Sequence, residues 1–418
     1  MRRIMILFTG AVMLGVSGCS AQNTPAVDFS ANPGFTDSAI TKADMTELAN
    51  DNSAFAFDLY KALSERTDDN IFFSPYSISA ALAMTYAGAG ENTKREMAEV
   101  LKFSLPDNLL HTSFSLLGSS LAACADEDST FSLHIVNALW GQTGYTFLPE
   151  FLEILSVNYG AGIRLLDFSD NPGLCRETIN EWVAEQTLGK IEDLIPPGIL
   201  STATKLVLTN AIYFNAQWLF QFEEALTFRQ PFNLIDGEEI IVPMMNQTEH
   251  FEMARGDGYL AVELPYTRSR MSMLIVLPAL NRFTEIEDKL DNDFINEITG
   301  NLSDANLHLS MPEFENESAF QLEDILAEMG MPSAFGVSAD FSGMDGTRSL
   351  YIASVIHKAF VSVDENGTEA AAATAVVMNK LDGDPAVEFA VNHPFIYLIR
   401  DRETGTVLFI GRVMNPLE

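Results

Sequence analysis

Basic side chains are scarce in this chain: 24 Lys and Arg stand against 58 Asp and Glu, a formal net charge of −34 over 418 residues. A surface this acidic repels nucleic-acid backbones and anionic membranes, so binding to either by charge is excluded. Cysteine is equally sparse. Cys19, Cys124 and Cys175 are too few and too scattered for a disulfide scaffold, and no C-x-x-C pair offers a zinc site. Catalytic motifs are missing as well. There is no G-x-S-x-G elbow and no H-E-x-x-H, and the six histidines show no metal-ligand spacing. Ala87 to Lys94 (AGAGENTK) faintly resembles a phosphate loop, but it lacks the Gly-Lys-Ser/Thr ending and follows a helical run, so it reads as a helix-to-helix turn. No enzyme activity, cofactor or metal is expected.

What is present is apolar sequence, 47% of the chain, enough for one large core. At the N-terminus Arg2 and Arg3 precede an apolar run from Ile4 to Val16 that is too short to span a bilayer as a mature helix. Val16-Ser17-Gly18-Cys19 ends it and resembles the lipobox of bacterial lipoproteins, in which the cysteine is acylated and becomes the new N-terminus; several acyl chains anchor stably. The expected organisation is a signal peptide over 1–18, a lipid-attached polar tether over 19–43 and a single domain over 44–418. The protein is then exported and anchored in the cell envelope, periplasmic or at the surface. An ordinary secretory signal cut after Ala21 is the alternative. With Cys19 lipidated, Cys124 and Cys175 either pair or stay buried.

Periodicity gives an α+β pattern with large sheets. NSAFAFDLYKALSER and SPYSISAALAMTYAGAGENTKREMAEVLKF repeat apolar residues at helical spacing, with Ser74-Pro75 at a start, and Ile179 to Leu194 predicts an amphipathic helix stopped by Pro196-Pro197. Strands then dominate: KLVLTNAIYFNA, EIIVPMMNQ, YLAVELPY, MSMLIVLP, NLHLSMPEF, IHKAFVSV and VNHPFIYLIR. Between the last two lies DENGTEAAAATAVVMNKLDGDPAVEF, whose alanine run has helix propensity although strands flank it.

Five segments carry a family resemblance. FAVNHPFIYLIRDRETGTVLFIGRVMNP is similar to the C-terminal signature of the serpins, the serine protease inhibitors. NIFFSPYSISAALAMTYAGAGENTKREM, INEWVAEQTLGKIEDLIP, LVLTNAIYFNAQW and LYIASVIHKAFVSVDENGTEAAAAT resemble, in the family's order, its second and third helices, the helix across the main sheet, the adjacent central strand, and the strand and hinge before the reactive loop. The resemblance spans about Met45 to Pro416. It implies the serpin fold, with about three β-sheets, eight to nine helices and an exposed reactive centre loop over about 365–385. It also implies suicide inhibition of serine endopeptidases, with cysteine endopeptidases as a further target class, in which the cleaved loop inserts into the main sheet and traps the acyl-enzyme.

The residues themselves suit a loop that becomes a strand. Alternation places Thr368, Ala370, Ala372, Thr374 and Val376 on one face, without charge and with nothing larger than valine. Glu369, the one charge, falls on the other face with Ala371, Ala373, Ala375 and Val377. Gly367, two residues after Glu365, supplies backbone freedom at the hinge. The competing reading is a short helix or inert linker, and with it a non-inhibitory surface or binding protein that is cleaved as a substrate.

By the family's loop length the cut falls after Leu381, at Leu381-Asp382, with Lys380-Leu381 a close second and the range extending from Lys380 to Gly383. Lys380 suits a trypsin-like enzyme, Leu381 a chymotrypsin-like or cathepsin-like one, and Val377 and Met378 elastase- or subtilisin-like enzymes. The resemblance further assigns Ser74, Ser77, Asn210 and His357 to a hydrogen-bonded shutter that controls sheet opening, and puts Trp218 near the top of the sheet. Residues 103–128 hold no Lys or Arg where polyanion-activated members carry basic clusters, so no glycosaminoglycan cofactor is expected. The expected partner is a serine endopeptidase, and the chain a monomer.

Overall fold

The computed structural model describes residues 40–127, 130–368 and 385–418. The first helix, Lys42–Ser64, begins at a capping box: the Thr41 hydroxyl accepts from the Asp44 amide while the Asp44 carboxylate takes the Thr41 amide. Pro75–Tyr86 follows, capped by Ser74, and is buried on every face, as a helix apolar all round must be. The turn after it leads into Glu91–Leu101, so AGAGENTK is a helix-to-helix turn; the Gly90 amide donates to the Asp340 carbonyl at 2.8 Å.

Two sheets dominate. The larger has nine strands in the order Ile71–Phe73, Val407–Val413, Phe395–Asp401, Met271–Pro278, Tyr259–Pro265, Glu239–Gly256, Ser303–Pro312 and Val387–Ala390, with Phe228–Asn233 also on Glu239–Gly256. The six-stranded sheet runs Phe314–Gln321, Ser354–Val363, Gly367–Thr368, Leu206–Gln217, Phe131–Gln142 and Ile163–Leu166. Two continuous sheets stand where about three are expected because Glu239–Gly256 is 18 residues long. It pairs in turn with Phe228–Asn233, Ser303–Pro312 and Tyr259–Pro265, and so carries one ladder into the next. Ten α-helices occur among the described residues; Phe283–Glu287 and Ser342–Asp345, a turn or so each, account for the excess over eight.

The main core lies between the sheets, where Phe214 of one meets Phe409 of the other with ring centroids 5.5 Å apart. A second, smaller patch covers the opposite face of the six-stranded sheet. There Ile179 and Val183 of the helix Pro172–Gln186 pack with Ile191, Leu194 and Ile195 over Val136, Val207, Ala211 and Ile356. This helix stops at Gln186, not near Leu194 as the periodicity predicts. Leu188 and Gly189 take positive φ of 56° and 77°, and the chain then runs irregularly, tied back where the Asn180 side chain bonds both backbone groups of Ile195. The apolar spacing of Ile191 and Leu194 reports burial, not helix. Phe131–Gln142 is a strand that the sequence reading misses: Phe131 to Ile135 alternates as a strand should, but Val136 beside Ile135 and the apolar run Ala138-Leu139-Trp140 break the alternation after five residues. No disulfide joins Cys124, which is half-buried, to Cys175, which is buried in the smaller patch.

Candidate functional site: the hinge and the shutter

Ser354–Val363 and Leu206–Gln217 are the two strands that matter most, because they run parallel and side by side. Their register extends from Ser354 opposite Val207 to Phe360 opposite Tyr213. Beyond that point they part. The chain leaves Val363, reverses over Asp364 to Asn366, and returns between them: Thr368 pairs with Val363 on one side, and Gly367 and Thr368 pair with Gln217 and Ala216 on the other, antiparallel to both.

The turn is built by one carboxylate. Asp364 Oδ1 accepts from the Asn366 amide at 2.8 Å and the Gly367 amide at 3.1 Å, while the Asp364 amide donates to the Gly367 carbonyl at 2.9 Å. Trp218, just past the central strand, holds the outside of the turn. Its amide donates to the Asn366 carbonyl at 2.9 Å and its indole N–H to the Asp364 carbonyl at 3.0 Å. Its ring stacks on Tyr266 with centroids 4.6 Å apart and planes within 7°. The Tyr266 hydroxyl in turn meets the Thr368 hydroxyl at 2.7 Å, and Thr368 is fully buried. Glu365 faces the segment after the central strand, where Thr227 donates to its carboxylate and the Phe222 amide to its carbonyl.

Gly367 is needed for a reason different from backbone freedom. It has no positive φ; a Cβ here would sit 2.1 Å from the Ala216 carbonyl oxygen, which is backbone and cannot step aside. Gly367→Ala is therefore expected to lift the hinge out of the sheet. The Trp218 and Phe222 amides, which donate into the turn, should exchange roughly tenfold faster or more, equivalent to about 1.4 kcal/mol or more of local opening. Unchanged protection at these amides would show that the close approach is not binding.

Of the four residues that the resemblance assigns to a shutter, Asn210 and His357 lie in the middle of the same two strands, and Ser74 and Ser77 at the start of the helix Pro75–Tyr86. Asn210 is directly opposite His357 in the parallel register. The Asn210 side-chain NH₂ donates to Ser77 Oγ and to Asn137 Oδ1, and its Oδ1 accepts from His357 Nδ1. His357 Nε2 then accepts from the Ser74 amide at 3.2 Å, and Ser74 Oγ accepts from the Ser77 amide at 3.2 Å. With Nδ1 donating and Nε2 accepting, the imidazole is neutral. Its complete burial agrees, pushing its pKa down to about 3. The sequence reading groups Ser74, Ser77, Asn210 and His357, and the structure brings all four together; it misses Asn137, which lies in the unrecognised strand.

Of the remaining residues singled out from sequence, Glu365, Gly367 and Thr368 form the hinge just described. Ala370, Ala372, Thr374, Val376, Lys380, Leu381 and Asp382, and Cys19 at the other end, lie outside the described residues.

Comparison with known proteins agrees with this geometry. The family model described as Serpin (serine protease inhibitor) matches residues 50–416. A serpin-like protein of Thermococcus kodakarensis is 40% identical over the whole of this chain and 99% of its own length. A leukocyte elastase inhibitor of Xenopus tropicalis is 39% identical over 89% of this chain and all of its own. Among solved structures, human thyroxine-binding globulin superposes with a TM-score of 0.82 at 32% identity, covering 90% of this chain and all of that one. Uncleaved ovalbumin does so with 0.80 at 28%, covering 88% and all. With a main sheet that parts above Phe360 and Tyr213 to admit the hinge, and with relatives matched along their full length, the chain belongs to the serpin family, whose members support protease inhibition as its general activity.

Proposed function

We propose that this protein is a suicide-substrate inhibitor of serine endopeptidases, held on the cell envelope as a monomer by acyl chains on Cys19. The observation that carries the reading is the pre-seated hinge: Gly367 and Thr368 already occupy the first two places of a strand between Ser354–Val363 and Leu206–Gln217. In this reading the protease serine attacks the carbonyl carbon at Leu381-Asp382 or Lys380-Leu381. The peptide bond breaks, the new amino terminus leaves with a proton, and the loop's N-terminal part remains as an ester on the enzyme. Continued insertion behind Thr368 carries the protease along. Distortion of its oxyanion hole then stalls the hydrolysis that would release it.

Support comes from small, uncharged side chains at Ala370, Ala372, Thr374 and Val376, and from a hinge seat that takes a threonine without leaving a buried polar atom unmet. The test mixes the domain from Ala21 onward with trypsin, chymotrypsin and elastase in turn. The expected result is a protease-sized band shift that survives denaturant, together with a released peptide beginning at Leu381 or Asp382. Cleavage in the loop with no such complex for any of the three would favour a non-inhibitory member cut as a substrate. Loss of membrane partition in Cys19→Ala would support the anchor, and unchanged partition would remove it.

A further inference from the structure

The nine-stranded sheet carries a cavity that the hinge, on the other sheet, does not use. The hairpin tip between Glu239–Gly256 and Tyr259–Pro265, the end of Met271–Pro278 and His393 border a space of about 250 Å³. Strand register explains its floor. Arg255 lies opposite Leu260, and Leu260 opposite Leu277, so the three side chains form a row on one face of the sheet. Two strand spacings, roughly 10 Å, separate the ends of that row. Tyr259, Pro278 and Ala279 add apolar wall. On the far side His393 donates from Nε2 to the Pro278 carbonyl at 2.6 Å, and its Nδ1 faces the Asn392 side chain at 2.9 Å, so both nitrogens are already used. Burial also lowers the His393 pKa and favours the neutral ring.

The formal charge in the lining is therefore that of Arg255, which is exposed. Among the described residues no carboxylate pairs with it, although the chain has 58 acidic side chains. The acids beside it in sequence are spent elsewhere: Asp257 pairs with Arg282 at 2.9 Å, and Glu252 with Arg402. A guanidinium with its planar fork unspent, next to an apolar floor, is a receptor for an anion that has an apolar body.

We propose that this cavity binds a small organic carboxylate, with its apolar body over Leu260 and Leu277 and its carboxylate on Arg255. The volume sets the size. Drug-sized ligands fill about 300–1,000 Å³, so this body is a single ring or a short branched chain. The lining sets the rest: Arg255 repels a cation, and the apolar floor adds nothing to the binding of a bare inorganic anion. The site does not depend on the inhibitor reading.

The test titrates phenylacetate into the full chain by ligand-observed NMR, beside the uncharged phenylacetamide and inorganic phosphate. Phenylacetate should bind saturably, and about tenfold or more tighter than either of the others. Arg255→Gln should remove that preference, weakening the acid about tenfold or more and leaving the amide as it was. Ala279→Trp, which fills the cavity from an exposed position, should abolish binding of both. The comparison of acid with amide needs no variant, so it stands whatever the substitutions do to folding. Absence of saturable binding, or an amide or phosphate that binds as tightly as the acid, would overturn the proposal. Acid binding that survives Ala279→Trp would lie at another place on the molecule and overturn it as well.

Discussion

Thr368→Arg should convert the protein from a trap into a substrate, with covalent complex falling at least 100-fold while loop cleavage continues at its normal rate. Thr368 is fully buried, and its hydroxyl is spent on Tyr266, whose ring is stacked on Trp218 and met edge-on by Phe214. An arginine here would force a charge into a fully buried seat against the rings of Tyr266 and Trp218, at a cost of several kcal/mol. In the proposed mechanism, trapping is a race between insertion and hydrolysis of the acyl-enzyme. About 3 kcal/mol on the insertion barrier slows it by a factor of about 150 and hands the race to hydrolysis. Thr368→Val separates charge from shape: it keeps the volume, loses one hydroxyl contact and should lower trapping only a few-fold. Denaturing gels that quantify complex against cleaved chain decide the matter, and an arginine variant that traps within a few-fold of wild type would refute the hinge mechanism.

The second large effect is acid instability originating at the shutter. His357 is neutral in the fold, with its pKa depressed to about 3, while an unfolded histidine titrates near 6.5. The unfolded chain therefore binds the proton first as pH falls. The stabilisation is complete above about 6.5, erodes by about 1.4 kcal/mol per pH unit below that, and is exhausted near 3. Protonating Nε2 would also turn a donor against the Ser74 amide and force the two central strands apart. His357→Gln offers a donor and an acceptor in similar places without a titrating group. The wild-type advantage over this variant, from urea unfolding, should shrink by about 3 kcal/mol between pH 6.5 and 4. The subtraction removes the other buried histidines, His111 among them, whose pKa is also lowered by burial. A constant advantage across that range would mean that His357 is not the acid-sensitive group.

Much of this site is legible in the sequence. Ser74, Ser77, Asn210 and His357 can be named because they sit in segments that resemble the family closely, and Gly367 and Thr368 because small, uncharged residues after a strand are conspicuous. What stays hidden depends on pairing between distant strands. Tyr266 ends a strand like many others until the fold lays it under Thr368, 102 residues on. Asn137 is missed for the same reason that its strand is. Even where the sequence singles out a residue, the reason can differ: Gly367 is fixed by the Ala216 carbonyl, not by a bend.

The parallel pairing of Ser354–Val363 with Leu206–Gln217 sets a direction of travel. Where the two strands touch, each gives the other a slanted, slightly weaker ladder. A chain that comes between them in the sense already set by Thr368 is antiparallel to both, so every residue that enters exchanges one parallel rung for antiparallel rungs on two sides. The sheet is in this respect an unfinished zip: its teeth face each other across the wrong partner, and the slider, Gly367 with Thr368, is already engaged at one end. From Phe360 and Tyr213 downward the gain accrues residue by residue, and no reversal of either existing strand is needed for closure.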